Sequence, residues 1–160
     1  MASQERLSDC QGGARMVDVG DKPVTARIAR ASGRLRMQPQ TASAIRDRTV
    51  PKGDVLETAR LAGIMAAKHT AQWIPLCHPL PLDAVAMELS FLDESTLEIR
   101  SEVHATARTG VEMEALVAVA AAALTVYDMC KGMDRAMVIE RIRLEEKSGG
   151  KSGHFRREDG

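Results

Sequence analysis

The sequence predicts an α+β sandwich in which helices cover one face of an antiparallel sheet, and three observations predict it. Apolar residues alternate with period two in four short runs, helical periodicity fills the gaps after the first and third runs, and no linker, repeat or low-complexity block interrupts the alternation. The resulting order β, α, β, β, α, β is that of the ferredoxin-like sandwich.

Each element has its own warrant. Val24, Ala26 and Ile28 alternate with Thr25, Arg27 and Ala29, as in a strand with one buried face, and Arg30 to Met37 extends it. Residues 41–47 suit a short helix. After the Pro51-Lys52-Gly53 turn, Asp54 is placed to cap a helix reaching about Gln72, whose apolar stripe holds Leu56, Ala59, Leu61, Ala62, Ile64, Met65 and Ala66. Three prolines in Ile74-Pro75-Leu76-Cys77-His78-Pro79-Leu80-Pro81 forbid regular helix and predict a stiff loop. Val85, Met87, Leu89 and Phe91, then Leu97, Ile99, Ser101 and Val103, form a hairpin about Asp93-Glu94-Ser95. A long helix over 108–131 and a last strand, Met137 to Leu144, complete the order. The expected organisation is a flexible tail over 1–15, one domain over 16–155 and a short tail over 156–160.

Composition excludes several classes of function. The chain has 160 residues with 22 basic and 22 acidic side chains, so no net field draws it to nucleic acid or anionic lipid. One Trp, one Tyr and two Phe leave few platforms for stacking bases. Cys10, Cys77 and Cys130 are widely spaced, which suggests neither a disulfide framework nor a zinc ribbon and fits a reducing cytoplasm. The polar N-terminal residues, with Glu5 and Asp9, lack the apolar core of a signal peptide. No metal site is expected, because the four histidines and three cysteines do not assemble a recognisable ligand set.

The long helix carries the functional clue. From Ala115 to Val126 every residue but Thr125 is apolar, so the helix needs cover from its own sheet and from a further body, for which a second subunit is the expectation. That run is shorter than the roughly 20 residues a bilayer demands. Charges stand only at the ends: Glu112 and Glu114 at one, Asp128 and Lys131 at the other. Capping of the helix macrodipole explains such residues without any function. Glu112 and Asp128 lie sixteen residues apart, roughly 24 Å at about 1.5 Å per residue. The two ends therefore have separate duties within a subunit, or neighbouring subunits bring opposite ends together at an interfacial site. Elsewhere, Lys52 sits on a tight turn at a helix start, and Cys77-His78 lies in the proline-stiffened loop. Lys147-Ser148-Gly149-Gly150-Lys151-Ser152-Gly153 mimics the end of a phosphate loop without its spacing, because position 145 is Glu. It reads either as a flexible tail or as a lysine-bearing glycine loop that folds over phosphates.

Taken together, Met16-Val17-Asp18-Val19, Lys52-Gly53-Asp54, Ala62 to Lys68, Ile74 to Leu80, Thr109 to Leu116, Tyr127 to Lys131 and Lys147 to Gly153 closely resemble the MoaC family of molybdenum-cofactor biosynthesis, the cyclic pyranopterin monophosphate synthases. The likeness runs in order from Met16 to about Phe155. It implies ferredoxin-like subunits in a homohexamer, a trimer of dimers, with active sites between subunits. It implies a lyase that converts 3′,8-cyclo-7,8-dihydro-GTP to cyclic pyranopterin monophosphate with loss of diphosphate. By motif match Asp128, Lys52 and Lys131 take catalytic positions, while Leu76, Cys77, His78, Glu112, Met113 and Glu114 stand where the family contacts substrate. Arg27, Lys68, Lys147 and Lys151 are the cations assigned to the phosphates. No cofactor is required; Mg2+ travelling with the triphosphate is the one addition this leaves room for. Two departures stand out: His69 follows Lys68 where the family has a second basic residue, and Gly132 follows Lys131 where alanine is usual. The competing expectation is a non-catalytic oligomeric purine-nucleotide binder using the same cavity.

Overall fold

In the computed structural model, residues 12–158 are described. Cys10 and most of the expected N-terminal tail lie outside them. The chain is α+β: β1 (Thr25–Arg36), α1 (Pro39–Arg46), α2 (Val55–Lys68), α3 (Thr70–Trp73), β2 (Ala84–Phe91), β3 (Thr96–Ala107), α4 (Glu112–Cys130), β4 (Val138–Ser148) and β5 (Phe155–Arg156). The antiparallel sheet has the order β2-β3-β1-β4-β5, consistent with a ferredoxin-like sandwich, with β5 added at the edge in what the sequence reads as the start of a tail.

β1 buries the face that carries Ala29, Ala31 and Leu35 rather than the one that carries Val24 and Ala26 in the alternating run. Ala29, Ala31 and Leu35 are buried, whereas Val24 and Ala26 are exposed. At Gly33 α4 crosses closely: a β-carbon there would lie 2.6 Å from Val119 Cγ1, so that position beneath the helix admits no side chain. The other face of β1 carries Arg30 between Glu102 of β3 (2.5 Å) and Glu146 of β4 (2.7 Å), with Arg34 against Glu98. Cross-strand register places these charges opposite one another and keeps that face polar.

Two helix boundaries differ from expectation. The helix begun by Asp54, which accepts from the Glu57 amide at 3.1 Å, stops at Lys68 rather than Gln72. His69 Nδ1 bonds the Met65 carbonyl at 2.8 Å and Thr70 Oγ1 bonds the Ala67 carbonyl at 2.9 Å, so side chains take up carbonyls that a continuing helix would use. The long helix begins at Glu112, not Arg108, because the chain must first cross from the sheet to the helix layer through Arg108 to Val111. The last strand in turn runs on to Ser148, beyond Leu144.

Helix α4 is the centre of the core. It is long and apolar enough to cross a membrane by length and composition, yet it lies on β1, β3 and β4 with α2 alongside, as core helices do. Its apolar circumference is thus covered mainly from within the chain. Leu124 of α4 remains 53% exposed, and Leu61 and Met65 of α2 are exposed as well. Gly63 lets the two helices meet: a β-carbon there would lie 2.9 Å from the Ala118 carbonyl oxygen and 2.7 Å from Met87 Cε. Gly63→Val is expected to cost about 1–3 kcal/mol through overpacking, measured as a lowered urea midpoint with unchanged m-value.

Candidate active site

The C-terminal end of α4 gathers three of the sequence candidates. The Pro51-Lys52-Gly53 turn depends on Gly53 at φ 103°, a left-handed conformation that costs glycine little, and it aims Lys52 at the last turn of α4. Lys52 Nζ donates to Asp128 Oδ2 at 2.8 Å and to the Asp128 carbonyl at 3.0 Å, while Lys131 Nζ meets Asp128 Oδ1 at 2.7 Å. One carboxylate is therefore forked between two ammonium groups, and all three side chains are about half exposed. Hydrogen bonds from Lys131 and then Lys52 hold the Asp128 carboxyl at about 2, and the same contact with Asp128 raises the Lys131 amine. Asp128 is thus a fixed anion near neutral pH and Lys131 a fixed cation in the isolated subunit. Cys130 beside them is fully buried, and burial pushes its thiol to about 11, so it offers no nucleophile. Lys131, followed by Gly132, caps α4 in helical geometry and bonds the Tyr127 carbonyl through its amide.

The N-terminal end of α4 faces a different environment. Leu76, Cys77 and His78 of the proline loop line a hollow of about 380 Å³ with Glu112, Met113 and Glu114. Glu114 is only 4% exposed; burial raises its carboxyl, and the neighbouring Glu112 charge adds to the effect. The Cys77 thiol is raised as well, by burial and by Glu114. Burial thus acts on the Glu114 carboxyl and the Cys77 thiol in the same direction, against their charged forms.

A second hollow, of about 560 Å³, adjoins the first through shared Lys22, Thr109, Gly110 and Glu112. It contains Arg27, Lys147 and Lys151. Arg27 is 9% exposed and held by backbone, Nε donating to the Ala107 carbonyl at 3.3 Å and Nη2 to the Arg108 carbonyl at 3.2 Å. The loop after β4 is tied to itself by Lys147 Nζ on Ser152 Oγ and to the sheet by β5. Lys68 is not brought to this group; it lines another hollow, shared with Glu114, at the end of α2. Sequence reasoning missed Lys22, which touches both hollows, and Thr25, whose Oγ1 is the one buried side-chain polar atom left without a partner among the described residues. Lys22 reaches the site from the segment before β1, which the Arg108 guanidinium fastens through the Gly20 carbonyl, and Thr25 from the first position of β1, opposite Ala107. No cluster of metal-binding side chains occurs among the described residues.

Removing the Asp128 charge tests the electrostatics of the fork. In Asp128→Asn the Lys131 titration, followed by NMR at Cε, is expected to move to lower pH, since the carboxylate is what raises it. In the wild type the cluster is expected to persist on acidification until pH falls towards about 2; an unmoved Lys131 midpoint would show that the fork does not set its charge.

Comparison with known proteins places this geometry in a family. The MoaC family profile matches residues 16–150. The cyclic pyranopterin monophosphate synthase 3 of Mycobacterium tuberculosis is 60% identical over 94% of this chain and 85% of its own length. The cyclic pyranopterin monophosphate synthases of Thermomicrobium roseum and Heliobacterium modesticaldum are 58% and 60% identical over 94% of this chain, covering 92% and 96% of their own lengths. The match takes in both ends of α4, the turn carrying Lys52 and most of the glycine loop, and the chain belongs to the MoaC family.

Proposed function

We propose that this protein is a lyase of molybdenum-cofactor biosynthesis that converts 3′,8-cyclo-7,8-dihydro-GTP to cyclic pyranopterin monophosphate and releases diphosphate. Family membership supports the reaction, and the observation that carries the assignment to this chain is the Lys52–Asp128–Lys131 fork. Opening the purine's five-membered ring, forming the pyranopterin and closing the cyclic phosphate require repeated proton transfers beside a polyanion. Two ammonium groups locked on one carboxylate suit that task. Asp128 stays ionised and orients both amines, and each lysine delivers or recovers a proton as the charge around it changes. A pure nucleotide binder has no use for such an arrangement.

The substrate's parts have matching surroundings at the other end of α4. Arg27, Lys147 and Lys151, with Lys22, offer four cations for the triphosphate, and the adjoining hollow of Leu76, Cys77, His78, Met113 and Glu114 suits the heterocycle. Lys68 lines a neighbouring hollow that shares Leu80 and Glu114 with this one. No metal is needed to balance that charge, and Mg2+ bound with the nucleotide is compatible with the open hollow.

The fork and the cation hollow belong to opposite ends of a rod that separates Glu112 and Asp128 by about 24 Å. We assign the working site to two subunits, one supplying the fork and the other the hollows, in a cytoplasmic homohexamer of ferredoxin-like subunits arranged as a trimer of dimers. The exposed Leu61, Met65, Trp73 and Leu124 support a subunit contact on the helix layer.

Two measurements test this. With the cyclised dihydro-GTP supplied, Lys52→Ala is expected to slow diphosphate release by about 10²–10⁴-fold; equal, slow rates in variant and wild type would refute the synthase assignment. Lys52→Ala and Arg27→Ala subunits, each impaired alone, are expected to regain diphosphate release when refolded together, because mixed sites then combine two intact halves. Failure to regain it would place the whole site in one subunit.

A further inference from the structure

The proposed chemistry gives Gly149 and Gly150 no task, yet both press directly on the one buried cation of the phosphate hollow. A β-carbon at position 150 would overlap Arg27 Nη1 and lie 2.6 Å from Cζ and 3.0 Å from Nη2. At position 149 it would overlap the Ala26 carbonyl oxygen and lie 3.3 Å from Arg27 Cδ. The glycine backbone is thus laid along the arginine from its stem to its guanidinium. Both residues have positive φ, 95° and 77°, which lets the loop turn flat onto β1.

The other side of the guanidinium is equally fixed. Nε and Nη2 are held by the Ala107 and Arg108 carbonyls, and Nη1 has no protein acceptor among the described residues. An arginine fork binds an anion well only when its plane is held in place, since that removes the entropy of ordering it. Carbonyls on one side and glycine backbone on the other hold this one. We propose that Gly150 is a positioning residue for substrate: the missing side chain keeps Arg27 Nη1 in the hollow beside Lys147 and Lys151, and thereby sets affinity for the diphosphate portion of the nucleotide. This rests on the phosphate reading of the hollow. A methyl group at 150 either expels the guanidinium or lifts the loop, and both outcomes separate Arg27 from the two lysines.

A purely conformational need for glycine is the competing explanation, and the chain contains its control. Gly153 lies in the same loop at φ 66°, and a β-carbon there would have nothing within 4 Å, so Gly153→Ala meets unfavourable backbone geometry without the collision. Binding of inorganic diphosphate to the folded oligomer, followed by calorimetry, separates the cases. Gly150→Ala is expected to weaken diphosphate binding by about tenfold or more, to match Arg27→Ala, and to raise KM with little change in kcat. Gly153→Ala is expected to stay within about twofold of wild type. In an Arg27→Lys background, where no Nη1 remains to collide, adding Gly150→Ala is expected to cause no further loss.

Equal effects of Gly150→Ala and Gly153→Ala, or full additivity of Gly150→Ala with Arg27→Lys, would overturn the positioning role while leaving the phosphate hollow intact. Unchanged diphosphate binding in Arg27→Ala would instead remove the phosphate reading itself, and the proposal with it.

Discussion

The rigidity and length of α4 constrain everything else in this chain. A helix of 19 residues laid across the sheet cannot bend to bring its ends together, so whatever chemistry its termini support is divided in space. The core is built to keep it there. Gly33 below and Gly63 beside it allow close approach, and the alanines facing the sheet fill the remaining space without pushing the layers apart.

The two ends present opposite electrostatic environments. At the C-terminal end the carboxylate is in water and matched by two amines, an arrangement of modest strength while exposed. Its interactions strengthen once substrate or a neighbouring chain displaces that water and lowers the local dielectric. At the N-terminal end the Glu114 carboxyl is already buried and biased towards its neutral form, next to a thiol biased the same way. One helix thus presents an exposed, paired carboxylate at one end and a buried, raised carboxyl at the other.

The sheet edge adds a third component. β4 continues past the part of the strand that the core needs, and β5 brings the chain back along it. Between them lies the glycine loop that carries Lys151 over Arg27. His154 on Glu146 at 2.8 Å and the Arg157 amide on the Glu145 carbonyl at 2.7 Å help secure this return. A loop that looks unstructured in composition is therefore held at both ends by the sheet.

The sequence by itself determined the α+β class, the hairpin, the capped helix after Asp54, the charged ends of the long helix and the family, because these depend on periodicity, local capping and residue order. It also marked Lys52, Asp128 and Lys131 singly. Only the tertiary structure decided that Lys52 and Asp128, 76 positions apart, share a hydrogen bond, that β1 turns Ala29 and Ala31 inward, and that Lys22 and Thr25 line one hollow with Arg27 while Lys68 lines another. Strand register and the height at which a helix crosses a sheet settle such contacts. Those are properties of packing between distant segments, and no local pattern encodes them.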